Sequence, residues 1–261
     1  MPEGDTVWLA AKRLDDALGG QALVSSDFRL PALATVDLAG VTILGVAPRG
    51  KHLLFRLDDG RTLHTHFRME GAWHLYRPDA RWRGGPAHTV RVVLTTAAWS
   101  AVGYRIPVVD LIATADEGSV VGHLGPDLLG PDWDAGAAVD RLQARPDMEI
   151  GEALLDQRNL AGIGAIYCCE SLFLCGVSPF TPVGQVPDLS GLVTTAHRLL
   201  MRNAPRTSRS TTGDERRPYY VYSRRRQPCR RCGTLIESGE QGRAPRARVM
   251  YWCPRCQARG A

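Results

Sequence analysis

The chain has 261 residues, of which 44% are hydrophobic and 23% charged, a composition typical of a folded protein with room for two domains. No run of about 18 apolar residues is present, so a transmembrane helix is excluded. The net charge of +5 is unevenly distributed. Residues 196–261 contain sixteen arginines and four acidic residues, a net charge of +12, while the other 195 residues carry −7.

The first patterned segment is an amphipathic helix predicted over residues 5–18. Asp5 is placed to cap its N-terminus, and the pair Gly19-Gly20 ends it. The residues before it lack the basic and apolar regions of a signal peptide, so we expect a cytoplasmic protein.

From there to about residue 115, short β-branched runs with polar interruptions predict strands. The runs are 41–46, 52–57, 62–66, 72–76 and 90–95. Asp59-Gly60 lies between two of them and is a hairpin signal. We therefore expect a β-rich N-terminal domain over residues 1–122, with a helix at its front.

The second half begins with residues 123–135, whose two Gly-Pro pairs predict a linker or hinge. Helical periodicity then predicts an α-helical domain over 136–218. Its helices are expected at 137–143, 150–157, 163–175 and 189–203. The polar residues 204–218 predict a mobile basic loop. Residues 219–261 form the third part, a four-cysteine finger.

Four of the seven cysteines form the pattern C-x2-C-x20-C-x2-C, namely Cys229, Cys232, Cys253 and Cys256. Four thiolates complete a closed tetrahedral shell, so this spacing predicts one structural Zn²⁺ ion and no catalytic metal. The alternative, two redox pairs, would need a thioredoxin-like βαβ context that the sequence lacks. Cys168, Cys169 and Cys175 lie in a helical apolar pattern and are expected in the core.

Basic and aromatic side chains surround these cysteines. The arginines are Arg224, Arg225, Arg226, Arg230, Arg231, Arg243, Arg246, Arg248 and Arg255. A zinc-held hairpin with guanidinium groups suits phosphate contacts, and the alternative is a solvated basic surface. Nucleic acid is therefore the predicted partner.

A glycine-rich turn joins two predicted helices within residues 154–170. Gly162 and Gly164 let backbone amides approach a ligand closely, and the helix N-terminus after them is a candidate site for a DNA phosphate. Taken alone, the pattern fits a plain helix–loop–helix turn equally well.

Four motifs in order resemble the formamidopyrimidine-DNA glycosylase and endonuclease VIII (Fpg/Nei) family, on its endonuclease VIII side. They are the P-E-G start, R-G-K-H at 49–52, the L-D-Q…A-G-I-G turn, and the cysteine ribbon ending C-P-R-C-Q. The resemblance covers the whole chain and implies an α+β fold. This fold is an N-terminal β-sandwich domain with a leading helix, then a helix–two-turns–helix domain ending in a zinc-ribbon β-hairpin.

The resemblance implies a bifunctional DNA glycosylase and AP lyase of base-excision repair that removes oxidised bases, pyrimidines in particular. After removal of Met1, the amine of Pro2 would attack C1′, release the base through a Schiff base and nick the strand by β/δ-elimination. An N-terminal amine suits this role because its reference pKa is about 7.7–8. Glu3 is implied as the general acid/base, and Lys51 as the group that holds the target phosphate or assists loss of the base.

The partner implied by the resemblance is damaged double-stranded DNA, bound by a monomer in the bacterial nucleoid. Met69, in an H-x-x-M-x-G pattern, would fill the space left by the flipped nucleotide, although a core position is the alternative. Arg248 on the zinc hairpin would contact the phosphates flanking the lesion. His64 and His66 alternate on a strand and are expected to be structural.

Three departures from the family pattern bear on activity. Ala165 stands where the family has a phosphate-binding asparagine, and Thr6 replaces its second N-terminal glutamate. Residues 104–110 lack the R-R-F-G segment of Fpg-type enzymes. These three departures leave open an alternative function, that of a catalytically weak or inactive zinc-ribbon protein that binds DNA or senses damage.

Overall fold

The computed structural model describes residues 2–242 and 247–258. The chain forms two compact units, Met1–His123 and Leu124–Ala261. Two arginines of the cysteine ribbon, Arg243 and Arg246, lie outside the described residues. Within the described part, no helix is both long enough and apolar enough to cross a bilayer.

The first unit is a β-sandwich preceded by helix α1 (Gly4–Leu18) and followed by the short helix α2 (Glu117–Val121). Its strands are β1 (Gln21–Ala22), β2 (Ser25–Phe28), β3 (Thr42–Arg49), β4 (His52–Leu57), β5 (Arg61–His66), β6 (Ala72–Tyr76), β7 (Val90–Thr95), β8 (Ser100–Tyr104) and β9 (Val108–Ala113). They form two antiparallel sheets, in the orders β1-β3-β4-β5-β9 and β2-β7-β8-β6. Phe55, Leu63 and Leu94 fill the core of this unit, and α1 packs against β3 and β4. The predicted β-sandwich with a leading helix is confirmed.

Helix α1 is capped differently from the prediction. Its N-cap residue is Glu3, whose extended backbone precedes the first turn, and Glu3 and Thr6 form a reciprocal capping box. In that box the N–H of Glu3 donates to Thr6 Oγ1 at 3.5 Å. The prediction of Asp5 as the cap is wrong because the helix begins one residue before it. Asp5 instead lies in the first turn, where a carboxylate interacts favourably with the helix dipole.

The second unit is helical and ends in a β-hairpin. Its elements are α3 (Ala135–Gln143), α4 (Ile150–Leu155), α5 (Ala165–Cys175), α6 (Leu189–Asn203), β10 (Glu237–Gln241) and β11 (Arg248–Trp252). Helix α5 is the centre of the core, and Cys168 and Cys169 are fully buried on it. Cys175 is exposed at the end of α5, so its predicted core position is wrong.

The cysteine-bearing hairpin shares the core of the helices. Met250 and Cys253 belong to the same buried cluster as Phe173 of α5. Gln241 Nε2 donates to the carbonyl of Pro179 at 2.8 Å, and Gln257 Nε2 donates to that of Val177 at 2.8 Å. The hairpin and the helices therefore lie in one compact unit, and a finer division at 135, 218 and 219 stays a prediction.

The segment predicted as a mobile loop, residues 204–218, is hydrogen-bonded to helices α5 and α6. Thr211 Oγ1 and the N–H groups of residues 220–222 all donate to the fully buried carboxylate of Glu170. The N–H of Ser210 donates to Asn203 Oδ1 at 2.8 Å. Ser210 and Thr211 are buried, so the prediction of a mobile loop is wrong for this part of the segment. Its polar composition is explained by these hydrogen bonds.

Candidate active site and metal centre

The N-terminal residues combine a half-buried proline with a buried acid. Pro2 directly precedes Glu3, whose side chain has 0% exposure. Helix α1, which begins directly after Glu3, packs against β3 and β4. Thr6, which replaces the second glutamate of the family pattern, caps the helix at Glu3. The predicted nucleophile Pro2 and the predicted general acid/base Glu3 are therefore adjacent, and the acid is shielded from water.

Lys51 lies at the tip of a tight hairpin between β3 and β4. Arg49 and His52 are paired across the two strands, which leaves a two-residue loop of Gly50 and Lys51. Gly50 has a φ of +57°, and type II′ hairpin turns favour glycine at this first loop position. The turn therefore presents Lys51 at one end of the sheet.

Four histidines gather near this hairpin, and we call His52, His64, His66 and His123 the imidazole cluster. His52 Nδ1 lies 2.8 Å from His64 Nε2, and the His52 ring meets the edge of His66 at 4.7 Å between centroids. His64 is buried, and its Nδ1 lies 3.1 Å from Asp110 Oδ2. The prediction that His64 and His66 are structural did not anticipate this cluster.

Burial and neighbouring cations keep two of these imidazoles neutral. Desolvation by burial lowers the pKa of His52 to about 3, helped by His66, His64, His123 and Arg68. Desolvation also lowers the pKa of His66 to about 4, helped by Arg68 and Lys51. Both rings are therefore uncharged at neutral pH.

These shifts predict an acid-sensitive first unit. In the unfolded chain His52 has a pKa near 6.5, so between about pH 6.5 and 3 the unfolded state binds a proton that the folded state does not. We expect the free energy of unfolding to fall as the pH drops through this window. Between pH 7 and pH 5, urea titrations should show a smaller decrease in the free energy of unfolding for His52→Asn than for the wild type. The control His88→Asn changes an exposed histidine and should show the same decrease as the wild type. Equal decreases in all three proteins would contradict the proposed neutral state of His52.

Met69 is held at the surface and not in the core. Its side chain is 64% exposed, so the alternative of a core methionine is wrong. Arg68 before it has a φ of +51°, unusual for a residue with a side chain, and its N–H donates to His66 Nδ1 at 2.9 Å. The imidazole of His66 therefore stabilises the turn that presents Met69.

The glycine-rich turn of the second unit is organised by Gln157, whose role the sequence did not reveal. Its Oε1 accepts the N–H of Gly162 at 3.1 Å, and its Nε2 donates to the carbonyls of Leu155 and Ile163 at 3.0 Å each. Gly162 has a φ of +95°, which favours glycine, and its N–H is already used within the turn. Gly164 is the N-cap of α5, the helix whose N-terminus the sequence suggests as a phosphate site, and that role stays a prediction.

The four predicted cysteines meet at one point, with all four sulfur atoms within 4.8 Å of one another. The Sγ atoms of Cys229 and Cys256 are 3.9 Å apart, and those of Cys232 and Cys253 are 3.5 Å apart. Zn–S bonds of about 2.3 Å in a tetrahedron require sulfur separations of roughly 3.8 Å. Backbone N–H groups of Arg231 and Cys256 donate to the sulfurs of Cys229 and Cys253, and hydrogen bonds of this kind orient metal-binding thiolates. The cluster can hold one metal ion.

Three ribbon arginines contact other groups of the same unit. Arg224 donates to the carbonyls of Tyr220 and Pro228, and Arg230 donates to the carbonyl of Tyr219. The guanidinium carbon of Arg231 lies 4.6 Å from the ring centroid of Phe173, a cation–π contact. Of these three, Arg224 is half-buried, whereas Arg230 and Arg231 are exposed. The exposed arginines in the described part of the ribbon are Arg225, Arg226, Arg230, Arg231, Arg248 and Arg255, and phosphate binding by them stays a prediction.

Comparison with known proteins matches both units. Residues 1–106 match the formamidopyrimidine-DNA glycosylase N-terminal domain, and residues 124–214 match the H2TH domain of the same enzyme. A Streptomyces coelicolor protein named "Probable endonuclease 8 2" is 56% identical over 99% of this chain and 94% of its own length. The Mycolicibacterium smegmatis protein named DNA-(apurinic or apyrimidinic site) lyase Nei2 is 44% identical over 98% of this chain and 99% of its own.

The fold agrees with a solved structure of Lactococcus lactis Fpg in complex with DNA containing an oxidised pyrimidine. The TM-score is 0.82 at 25% identity, covering 99% of this chain and 100% of that one. The sequence motifs, the two domain matches and the shared fold all indicate the same family. The chain therefore belongs to the formamidopyrimidine-DNA glycosylase (Fpg/Nei) family and is endonuclease VIII-like.

Proposed function

We propose that the chain is a bifunctional DNA glycosylase and AP lyase of base-excision repair that acts on oxidised bases, preferentially pyrimidines. The observation that carries the proposal is Pro2 beside the fully buried Glu3, in the unit that matches the family's N-terminal domain. The Mycolicibacterium smegmatis relative is named as an AP lyase, and the Lactococcus lactis enzyme was solved with an oxidised pyrimidine in its DNA. Both names support the same chemistry.

The chemistry starts from the secondary amine that removal of Met1 exposes on Pro2. This nitrogen attacks C1′ of the damaged nucleotide, the C1′–N bond to the base breaks, and the base leaves with the electron pair and takes up a proton. Glu3 then donates a proton to the sugar ring oxygen and the C1′–O4′ bond breaks; the Pro2 nitrogen, whose own proton has gone to the departing base, forms an iminium ion with C1′. Loss of a C2′ proton then breaks the C3′–O bond, and a second elimination breaks the C5′–O bond.

The other site residues bind and shape the DNA in this proposal. The resemblance implies that Lys51 holds the target phosphate or assists loss of the base, and we propose the second role for its ammonium group at the tip of the hairpin. Met69 fills the space of the flipped nucleotide, and its exposure supports that role. Gly164 and Arg248 contact phosphates, whereas Gly162 contributes the shape of the turn.

We assign one structural Zn²⁺ ion to the four cysteines, because the soft thiolates and their spacing fit that ion. A closed thiolate shell leaves no position for water, so the ion stabilises the hairpin and takes no part in the reaction. One chain carries the nucleophile and the DNA-binding arginines, so we propose a monomer that acts on damaged double-stranded DNA in the nucleoid.

A panel of lesion-bearing duplexes tests the substrate class. Single-turnover excision should be fastest on an oxidised pyrimidine such as thymine glycol and slower on 8-oxoguanine. Lesion-free duplex is the control, and its binding should weaken steeply with salt because phosphate contacts dominate. Faster excision of 8-oxoguanine would assign the enzyme to oxidised purines instead.

A further inference from the structure

Three neighbouring strands of the first unit place an acid and two imidazoles in a row. In the sheet, His52 of β4 pairs with His66 of β5, and His64 of β5 pairs with Asp110 of β9. Side chains two residues apart on a strand point to the same face, so all four share one face of the sheet. The row is joined by the 3.1 Å contact from Asp110 Oδ2 to His64 Nδ1 and the 2.8 Å contact from His64 Nε2 to His52 Nδ1.

Hydrogen-bonding chemistry restricts where the protons lie. An ionised carboxylate only accepts hydrogen bonds, so the Nδ1 of His64 carries the proton that Asp110 accepts. When His64 is neutral, its Nε2 has a lone pair, and only a proton on His52 Nδ1 completes the second contact. A neutral His52 with its proton on Nδ1 has a lone pair on Nε2.

The surroundings of His52 favour this neutral form. Lys51 directly precedes His52 in the chain. Arg68 faces the cluster from the turn after β5, His66 faces it from β5, and His123 faces it as the last residue of the first unit. The guanidinium of Arg68 opposes a positive charge on the His52 ring. Asp110 is the acidic group at the opposite end of the row, and it contacts His64 and not His52.

We propose that Asp110, His64 and His52 form one hydrogen-bonded chain that positions the Lys51 turn for release of the base and ends in an unprotonated Nε2 on His52. His52 is the residue that follows Lys51, at the first position of β4. Fixing its ring to β5 and β9 therefore restrains the two-residue loop that carries the ammonium group. The proposal rests on the proposed function of Lys51, and His52 and His64 are positioning residues.

Proton positions can be measured without any activity. Long-range proton–nitrogen correlation spectra of the full chain labelled with ¹⁵N-histidine should show His64 protonated on Nδ1 and His52 protonated on Nδ1 alone, at pH 7. Spectra of His52→Asn and His64→Phe assign the signals. A proton on Nε2 of His52 would overturn the proposed hydrogen-bonded chain of Asp110, His64 and His52.

Kinetics test the positioning role through two separate steps. His52→Leu removes both ring nitrogens, whereas His52→Asn keeps an N–H donor near the place of Nδ1, and His88→Asn is a control at an exposed histidine of the same unit. Loss of hydrogen bonds that position a catalytic group should slow single-turnover excision of thymine glycol about ten-fold in His52→Leu and His64→Phe. Nicking of a preformed abasic site, which needs no base release, should stay within about two-fold of the wild type, and His52→Asn should restore excision.

Each outcome has a distinct meaning. Unchanged excision in His52→Leu, or an equal fall in excision and abasic-site nicking, would overturn the positioning role. Lys51→Ala is run in parallel, and unchanged excision in that variant would refute the proposed role of the lysine. The proton positions would still decide whether the hydrogen-bonded chain exists.

Discussion

A Pro2→Gly variant is expected to lose almost all of the covalent adduct that borohydride traps between the protein and abasic-site or thymine-glycol DNA. Proline provides a secondary amine on a rigid ring, directly before the buried Glu3. Glycine provides a primary amine on a flexible residue, so the nitrogen is no longer held close to C1′. Misplacement of a reacting group costs on the order of 100-fold in rate, and we expect at least that loss in the trapping rate.

Controls make this result specific to the nucleophile. Mass spectrometry should show that Met1 is removed from both proteins, and thermal unfolding should show an intact fold. Lys12→Gln serves as a matched surface control, because Lys12 is exposed and pairs with the exposed Asp16 of the same helix at 3.3 Å. Undiminished trapping in Pro2→Gly would transfer the nucleophile to another amine. If the processed wild type forms no adduct with any lesion, the chain is a DNA-binding or damage-sensing protein without catalysis.

Local patterns predicted the secondary structure well where each segment has one strong periodicity. The strands His52–Leu57, Ala72–Tyr76 and Val90–Thr95 and the helix Leu189–Asn203 have the predicted bounds. Helices α4 and α5 are shorter than predicted, because the residues between them build the turn around Gln157. Apolar periodicity contains no information on such side-chain clamps.

Long-range polar contacts explain most of what the sequence did not show. Glu170 lies in an apolar helix, and the groups that donate to it are 41 to 52 residues away. The arginines of the ribbon look equivalent in sequence, yet Arg224 is engaged by nearby carbonyls while Arg248 is exposed. The close spacing of His64 and His66 was a usable signal for the imidazole cluster, but their partners His52 and Asp110 come from other strands.

In the candidate site too, motifs predicted the residues, whereas the contacts between them required the structure. Motif resemblance was enough to name Pro2, Glu3, Lys51 and the four cysteines, and the structure brings the cysteine sulfurs together. The motif comparison showed only that Thr6 replaces the family's second glutamate, whereas the structure shows that its hydroxyl accepts the N–H of Glu3 in the cap of α1. A comparison of motifs does not reveal this contact.

A Cys253→Ser variant is expected to lose its metal ion and to destabilise the whole second unit. Cys253 is fully buried in the same cluster as Met250 and Phe173, so disorder of the hairpin would expose the core beside α5. Structural zinc sites contribute about 10–16 kcal/mol of binding free energy that is linked to folding. We expect the variant to lose at least about 3 kcal/mol of the stability of this unit, since a hydroxyl cannot replace a thiolate ligand.

Metal analysis and unfolding together test this coupling. The wild type should contain one zinc ion per chain, and Cys253→Ser should contain much less and should be cleaved by protease within residues 124–261. Cys175→Ser is the matched control, because Cys175 is exposed and lies outside the cluster of four sulfurs. Removal of zinc from the wild type by a chelator should reproduce the variant, with loss of DNA binding, because Arg248 lies on the same hairpin. A metal-free protein whose second unit melts like the wild type would show that apolar packing alone maintains the hairpin, and the ion would then have no structural role.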